Sequence, residues 1–366
     1  MGFDEFLGNE RIVSSLRGML RRGRMPSGLL FTGPRGIGKF TLARMFATAC
    51  NCLELPDDFC GQCENCVRIS RLTDPAPLIE QGLAERGESA DAAMVERTPL
   101  ILETHPDVWL LVPDPVRLRT PVARPVLRVG QLRAVQRAAY FQPHSRRRIF
   151  ILDGADTMRW NDADVFLKIL EEPPASATLI LLAESLDSLL PTIRSRCLQF
   201  HFAPVPAQTI EAFLAQRSKA KPKERKLAAQ LSSGSPGLAL SLDLIESARL
   251  RTTLLEWLEK SVAADKHADV FAATAQLAKQ EKESFENILE LLYSLLTDLL
   301  EASQCPKLGL PRNPDLDREI EALAKRISWD WIVGAIDGLD RLEGRLRRNI
   351  NRPLAFDAYA GSLGVH

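Results

Sequence analysis

The sequence predicts an α/β protein in which a parallel sheet carries helices on both faces and is followed by an all-helical C-terminal third. Three observations lead there. A glycine-rich turn, Gly33–Lys39 (GPRGIGK), joins an apolar strand end at Leu29–Thr32 to a helical pattern over Phe40–Cys50. Two further strand-sized apolar runs, Arg148–Asp153 (RIFILD) and Thr178–Ala183 (TLILLA), alternate with helical segments through short connections, the pattern that builds parallel sheets. From Pro206 onward helical periodicity replaces strand-like runs altogether.

Composition sets the outer limits. A chain of 366 residues has room for two or three domains, and the changes of pattern divide it into 1–205, 206–245 and 246–366. Hydrophobic residues make up 45% and charged residues 26%, and no apolar run approaches the roughly 20 residues of a membrane span. The start, MGFDEFLGNERI, carries Asp4, Glu5 and Glu10 and lacks the basic and apolar regions of a secretory leader. A cytoplasmic setting without membrane contact is therefore expected, with cysteines reduced or metal-bound. A formal net charge of zero argues against a surface that attracts nucleic acid everywhere. Yet Val116–Ile151 holds nine arginines and no acidic residue, a local excess that fits either a basic face for phosphates or an arginine-rich solvated helix and loop.

Taken in order, Phe6–Arg22 places Ile12, Leu16, Met19 and Leu20 at helical spacing ahead of the Pro26–Gly28 turn. The glycine-rich turn then reads as a phosphate loop. In such loops backbone N–H groups curl around phosphate oxygens, the lysine reaches the terminal phosphates, and a following Ser or Thr hydroxyl holds magnesium. Gly33, Gly38 and Lys39 are in place, but Phe40 stands where the hydroxyl belongs. Thr41 is turned about 100° further round the helix. Asp153, at a strand end, is the carboxylate that orients magnesium in these sites. Gly154 follows where a water-activating acid is usual, and Asp156 is expected to turn away. These losses put ATP binding in doubt and predict no hydrolysis.

Cys60, Cys63 and Cys66 lie at paired CxxC spacing, with Cys52 or Cys50 a short loop upstream. Four thiolates so spaced close a tetrahedral structural zinc site. A redox CxxC is the competitor, and three evenly spaced cysteines plus a fourth favour the metal. Cys52 is preferred as the first ligand, because Cys50 falls inside the preceding helix. Asp74–Thr104 reads as an insertion, partly helical or mobile, ahead of a strand at Val108–Val112. Leu127–Ala139 is a helix bearing Arg128, Arg133 and Arg137, and Ala163–Glu172 is a helix stopped by Pro173 and Pro174. Arg194 and Arg196 flank Ser195 between a helix and a strand, where such charge is usually a solvated face. A small helical unit spans Ala207–Ile245 and contains Gly234, Pro236 and Gly237. Ser284–Ala302 is the clearest amphipathic helix beyond it, a packing surface rather than a ligand site.

Together GPRGIGKFT, CGQCENC, HPD at His105–Asp107, LDGAD at Leu152–Asp156, LKILEEPP at Leu167–Pro174, SRC at Ser195–Cys197 and the ending NINRPLAFDAY resemble, in order and along nearly the whole chain, the AAA+ subunits of the bacterial DNA polymerase III clamp loader. That family holds ATP-hydrolysing motor subunits and a stator-like delta-prime type with an altered nucleotide site, and this sequence is similar to the second. The resemblance implies an AAA+ P-loop domain with a zinc module, a small helical lid and an all-α collar domain. Phe40 and Gly154 depart from the motor pattern, and so does Gly237, where motor subunits carry a lid arginine. Arg196 in SRC is implied to reach the nucleotide site of a neighbouring subunit as an arginine finger. Implied partners are motor and delta-type subunits, primer–template DNA facing Arg128, Arg133 and Arg137, and the sliding clamp indirectly. An active motor subunit and a free-standing P-loop nucleotide enzyme are the alternatives. Phe40 and Gly154 count against the first, and the zinc module and helical C-terminal third against the second.

Overall fold

The computed structural model describes residues 2–87, 90–115, 125–158, 163–172, 174–262, 274, 282–304, 311–346 and 351–363. By contact the chain divides into two compact units, Met1–Pro206 with Gly234–Leu238, and Ala207–Ser233 with Ala239–His366.

The first unit is built on a six-stranded sheet. Its strands are β1 (Gly28–Thr32), β2 (Ile101–His105), β3 (Val108–Leu111), β4 (Arg148–Leu152), β5 (Ala177–Ala183) and β6 (Leu198–His201), in the spatial order β2-β3-β4-β5-β1-β6. Five of them run parallel, as expected, but β2 pairs antiparallel with β3 at one edge. The stretch read as an insertion, partly helical or mobile, therefore also supplies a strand at its end. Its burial alternates imperfectly and its pairing with β3 shifts register between Glu103 and His105, which hides the period-two signal that marks a strand in sequence. The rest of that stretch holds two helices, α4 (Ala76–Arg86) and α5 (Ala92–Arg97).

Burial explains the remaining layers. β1, β4 and β5 are buried along their whole length, so they read as continuous apolar runs rather than alternating ones. Leu30, Phe150, Leu152, Leu179 and Leu181 form one core with α6 (Val129–Ala139), α7 (Ala163–Glu171) and α8 (Pro191–Arg194), through Leu132, Val135, Phe166, Ile169 and Ile193. The alternate side chains, such as Phe31, Ile151 and Ile180, point to the other face, where α2 (Lys39–Cys50) packs against β4 and β5 and α1 (Glu10–Arg22) against α2. α1 begins later than its apolar spacing suggested. Gly8 and Asn9 have positive φ, 74° and 53°, which breaks the helical path between Phe6 and Glu10.

In the second unit the amphipathic helix at Ser284–Ala302 is observed as Lys282–Gln304. Its Phe285, Ile288, Leu292, Leu295, Leu296 and Leu299 share a core with Trp257 and Phe356, whose rings stack at 5.5 Å. A fully buried Arg251 crosses this unit to Asp315 with paired contacts of 2.6 and 2.8 Å. Of the ending NINRPLAFDAY, Asn349 and Ile350 lie outside the described residues, as does Val116–Arg124 of the arginine-rich stretch. No helix among the described residues is long and apolar enough to cross a membrane.

Candidate phosphate loop, arginine edge and metal centre

Ligand sites in open α/β sheets form at the carboxyl ends of the strands. Here β5 lies between β1 and β4, so their ends bring together the glycine-rich turn, Glu184 and Asp153. Lys39 is buried, and its Nζ donates to the carbonyls of Gly33 and Pro34 at 2.5 and 2.9 Å. Burial lowers the Lys39 ammonium below its ordinary value, and the fields of Glu184, Asp153 and Asp156 oppose that shift. Burial likewise raises the Asp153 carboxyl, with Lys39 as the leading opposing charge. Asp156, expected to turn away, thus still acts on the lysine electrostatically. Glu184 went unnoticed in the sequence, although its place directly after the apolar run TLILLA was a signal for it.

The loop is braced by its own chain. Gly237 donates its N–H to the Gly36 carbonyl at 2.9 Å, so three loop carbonyls are occupied by Lys39 and Gly237. A Cβ at Gly237 would sit 2.8 Å from that same carbonyl oxygen, and one at Gly154, where φ is 70°, would lie 2.8 Å from Pro113. A side chain at either position would therefore require its surroundings to shift. A Cβ at Gly38 would lie 3.0 Å from the Phe6 ring. Phe40 is half-buried at the second position of α2, and its phenyl group has no oxygen to offer a magnesium ion.

On the opposite edge of the sheet, α8 closes with Arg194, and Ser195 and Arg196 lead into β6. Arg194 pairs with Asp187 at 3.2 Å. Arg196 donates to the Thr192 carbonyl at 2.9 Å and pairs with Glu171 at 2.7 Å, its side chain 34% exposed. Cys197 turns inward and is buried, with its thiol pushed up to about 12.

The four thiols expected to share a metal do converge. The sulfurs of Cys52, Cys60, Cys63 and Cys66 all lie within 4.8 Å of one another, against the roughly 3.8 Å spacing of thiolates arranged tetrahedrally around zinc. Cys50 is not in this group; it is buried at the end of α2. Backbone N–H groups of Leu55 and Cys60 donate to Cys52 Sγ, and those of Gln62 and Cys63 to Cys60 Sγ. Such donors stabilise thiolates, and those of Gln62 and Cys63 lower Cys60 to about 7. The donor set fits a metal ion and leaves no open coordination position.

This module is tied to the loop that enters β4. Asn65 of α3 (Glu64–Ser70) donates to the Asn51 carbonyl and to Ser145 Oγ, both at 2.9 Å. The fully buried Asn51 accepts from the N–H groups of Arg146 and Arg147. Asp107 of HPD accepts from the N–H groups of His144 and Ser145 at 2.9 and 2.6 Å, so the motif holds a loop rather than performing chemistry.

The three arginines of α6 separate into two environments. Arg133 and Arg137, one turn apart, are both exposed, whereas Arg128 is half-buried at the head of the helix. Gln131 accepts from the Arg128 N–H at 2.8 Å and donates to the carbonyls of Leu100 and Val112. The cap is one-sided, because a guanidinium has no acceptor. Arg128 therefore does not share the exposed face of the other two.

A mostly parallel sheet, a glycine-rich loop at the carboxyl end of its β1 strand and a following helical region define an α/β protein of the P-loop kind. The particular family follows from comparison. Residues 8–206 match the family model described as DNA polymerase III, delta subunit, and residues 246–358 match the model for the C terminal of that subunit, so the chain belongs to the DNA polymerase III delta subunit family. It is similar to DNA polymerase III subunit delta' of Bacillus subtilis, with 26% identity over 93% of this chain and 92% of the relative. It is also 31% identical to DNA polymerase III subunit gamma/tau of Mycobacterium bovis over 58% of its length, and spans 31% of that longer relative. A DNA polymerase III gamma subunit-related protein of Thermotoga maritima aligns over 96% of this chain and 98% of its own, with 15% identity and a TM-score of 0.39.

Proposed function

We propose that this chain is a non-hydrolysing, delta-prime-like subunit of the DNA polymerase III clamp loader. It acts in the cytoplasm as a stator, supplies Arg196 as an arginine finger to the nucleotide site of a neighbouring motor subunit, and helps load the sliding clamp onto primed DNA. The observation that carries this reading is the close packing around Gly154 and Gly237, which lack the side chains that hydrolysis would use. Neither position carries the acid or the arginine that hydrolysis would use, a side chain at either would require its surroundings to shift, and Phe40 supplies no metal ligand. Loss of metal positioning, water activation and charge stabilisation together removes most of what drives phosphoryl transfer.

Cys52, Cys60, Cys63 and Cys66 hold a zinc ion as a rigid clip. Arg133 and Arg137, with Arg128 behind them, meet DNA phosphates in the assembled complex, a contact that is sequence-tolerant and salt-sensitive. Residues 206–245 serve as the lid and 246–366 as the collar that joins motor and delta-type subunits, and the clamp is reached indirectly.

The test is ATP turnover by the isolated chain and by the reconstituted loader. The isolated chain should show no steady hydrolysis; a rate abolished by Lys39→Ala would overturn the stator assignment. Fingers supplied in trans contribute roughly 10³ to 10⁵ in rate at the site they serve. Arg196→Ala should therefore silence one motor site and lower the loader's total rate only partly. A wild-type rate in that complex would return Arg196 to the solvated surface.

A further inference from the structure

We infer that Glu171 is a positioning residue for Arg196, holding its guanidinium in the orientation that a neighbouring phosphoryl group requires; this rests on the finger reading of Arg196. The contact is one of several that converge there. Arg196 Nη2 meets Glu171 Oε1 at 2.7 Å at the last turn of α7, and Nη1 donates to the Thr192 carbonyl at 2.9 Å in α8. Nη1 also donates to Ser195 Oγ at 3.5 Å, so three of the five guanidinium N–H groups have partners within the chain and Nε–H and one N–H of Nη2 remain for a ligand.

The anchors are themselves fixed by the core. Leu170 and Cys197, the chain neighbours of Glu171 and Arg196, are both buried and converge on Gly28 at the start of β1. A Cβ at Gly28 would lie 2.9 Å from Cys197 Sγ and 2.9 Å from Leu170 Cδ2. The absence of a side chain there lets α7 and the α8–β6 connection close together. An ordinary exposed ion pair loses much of its energy to the ordering of two long side chains; here the backbone beneath both partners is already set. A finger must occupy one rotamer when the neighbour's phosphoryl charge develops, and misplacement by about 1 Å is enough to cost rate. Glu171 supplies that constraint from within the same chain without touching the nucleotide.

The experiment uses the reconstituted loader containing the full chain, with ATP hydrolysis measured across ATP concentration. Glu171→Ala should lower turnover at the one site that Arg196 serves by roughly threefold to fivefold, the scale of a well-backed exposed pair, so that the loader's total kcat falls by less than in Arg196→Ala, with KM unchanged. Glu171→Gln, which keeps an acceptor for Nη2, should restore most of the rate. In an Arg196→Ala background Glu171→Ala should have no further effect. An unchanged or raised kcat in Glu171→Ala, or an equal loss in the Arg196→Ala background, overturns the inference while leaving the finger intact. Wild-type turnover by Arg196→Ala alone overturns the finger reading itself.

Discussion

At Gly154 the backbone is left-handed with φ 70°, and the Cβ position is filled by Pro113; at Gly237 it is filled by the Gly36 carbonyl. Both residues lack the side chain that the proposed reading assigns to hydrolysis, so each could be taken for a simple loss. The geometry shows in addition that a side chain at either would strain the packing around it. Restoring the acid as Gly154→Glu combines an unfavourable φ with a steric contact, and Gly237→Arg forces the loop and the Gly234–Leu238 segment apart. Overpacking of this kind costs about 1–3 kcal/mol, and each variant should lower the urea midpoint accordingly. If Gly237→Arg matched the parent in stability, the close approach to Gly36 would not be holding the loop. The same scale shows where residue patterns were silent. Glu184 and Glu171 carry no motif of their own, and their roles come from what the strand ends and helix ends place beside them.

Among the elements, the segment between the cysteine module and β3 departs furthest from its sequence pattern. Its helices are anchored by Arg86, whose guanidinium is buried, contacts Asp114 at 2.9 Å and donates to the Thr98 carbonyl at 2.8 and 3.1 Å. Asp114 in turn bridges through its N–H to Val126. One buried ion pair thus joins the end of α4, the exit of α5 and the approach to α6. Breaking such a pair from one side leaves an uncompensated charge and costs about 3–5 kcal/mol. Arg86→Ala should show a loss of that size in chemical denaturation; a change below about 1 kcal/mol, the range of exposed pairs, would mean the segment is held by apolar packing instead. The strand β2 was hidden for a related reason. It is an edge strand whose partner and register are set by the turn into β3, not by alternation of its own residues.

At the scale of the whole molecule, the two compact units differ in what sustains them. The helical unit has an aromatic and aliphatic core around Trp257 and Phe356. The sheet unit adds four converging thiols and an asparagine relay from Asn51 and Asn65 to Ser145, Arg146 and Arg147. With zinc bound as proposed, chelation should lower the melting temperature of the sheet unit by roughly 10 °C, on a loss of about 3 kcal/mol. Amide exchange should rise at His144–Arg147 and stay unchanged in the helix carrying Leu254 and Leu258. Equal loosening of both units would contradict a local clip. The sequence alone determined the alternation of strands and helices, the phosphate loop with its missing hydroxyl, the cysteine quartet and the helical C-terminal region, because periodicity, glycine spacing and CxxC spacing are local properties of the chain. Only the tertiary structure decided that Lys39 and Gly237 occupy the loop's own carbonyls, that Arg128 stands apart from Arg133 and Arg137, and that Glu171 holds Arg196. Each depends on residues distant in sequence meeting at strand and helix ends, a proximity set by sheet order and close packing that no local spacing encodes.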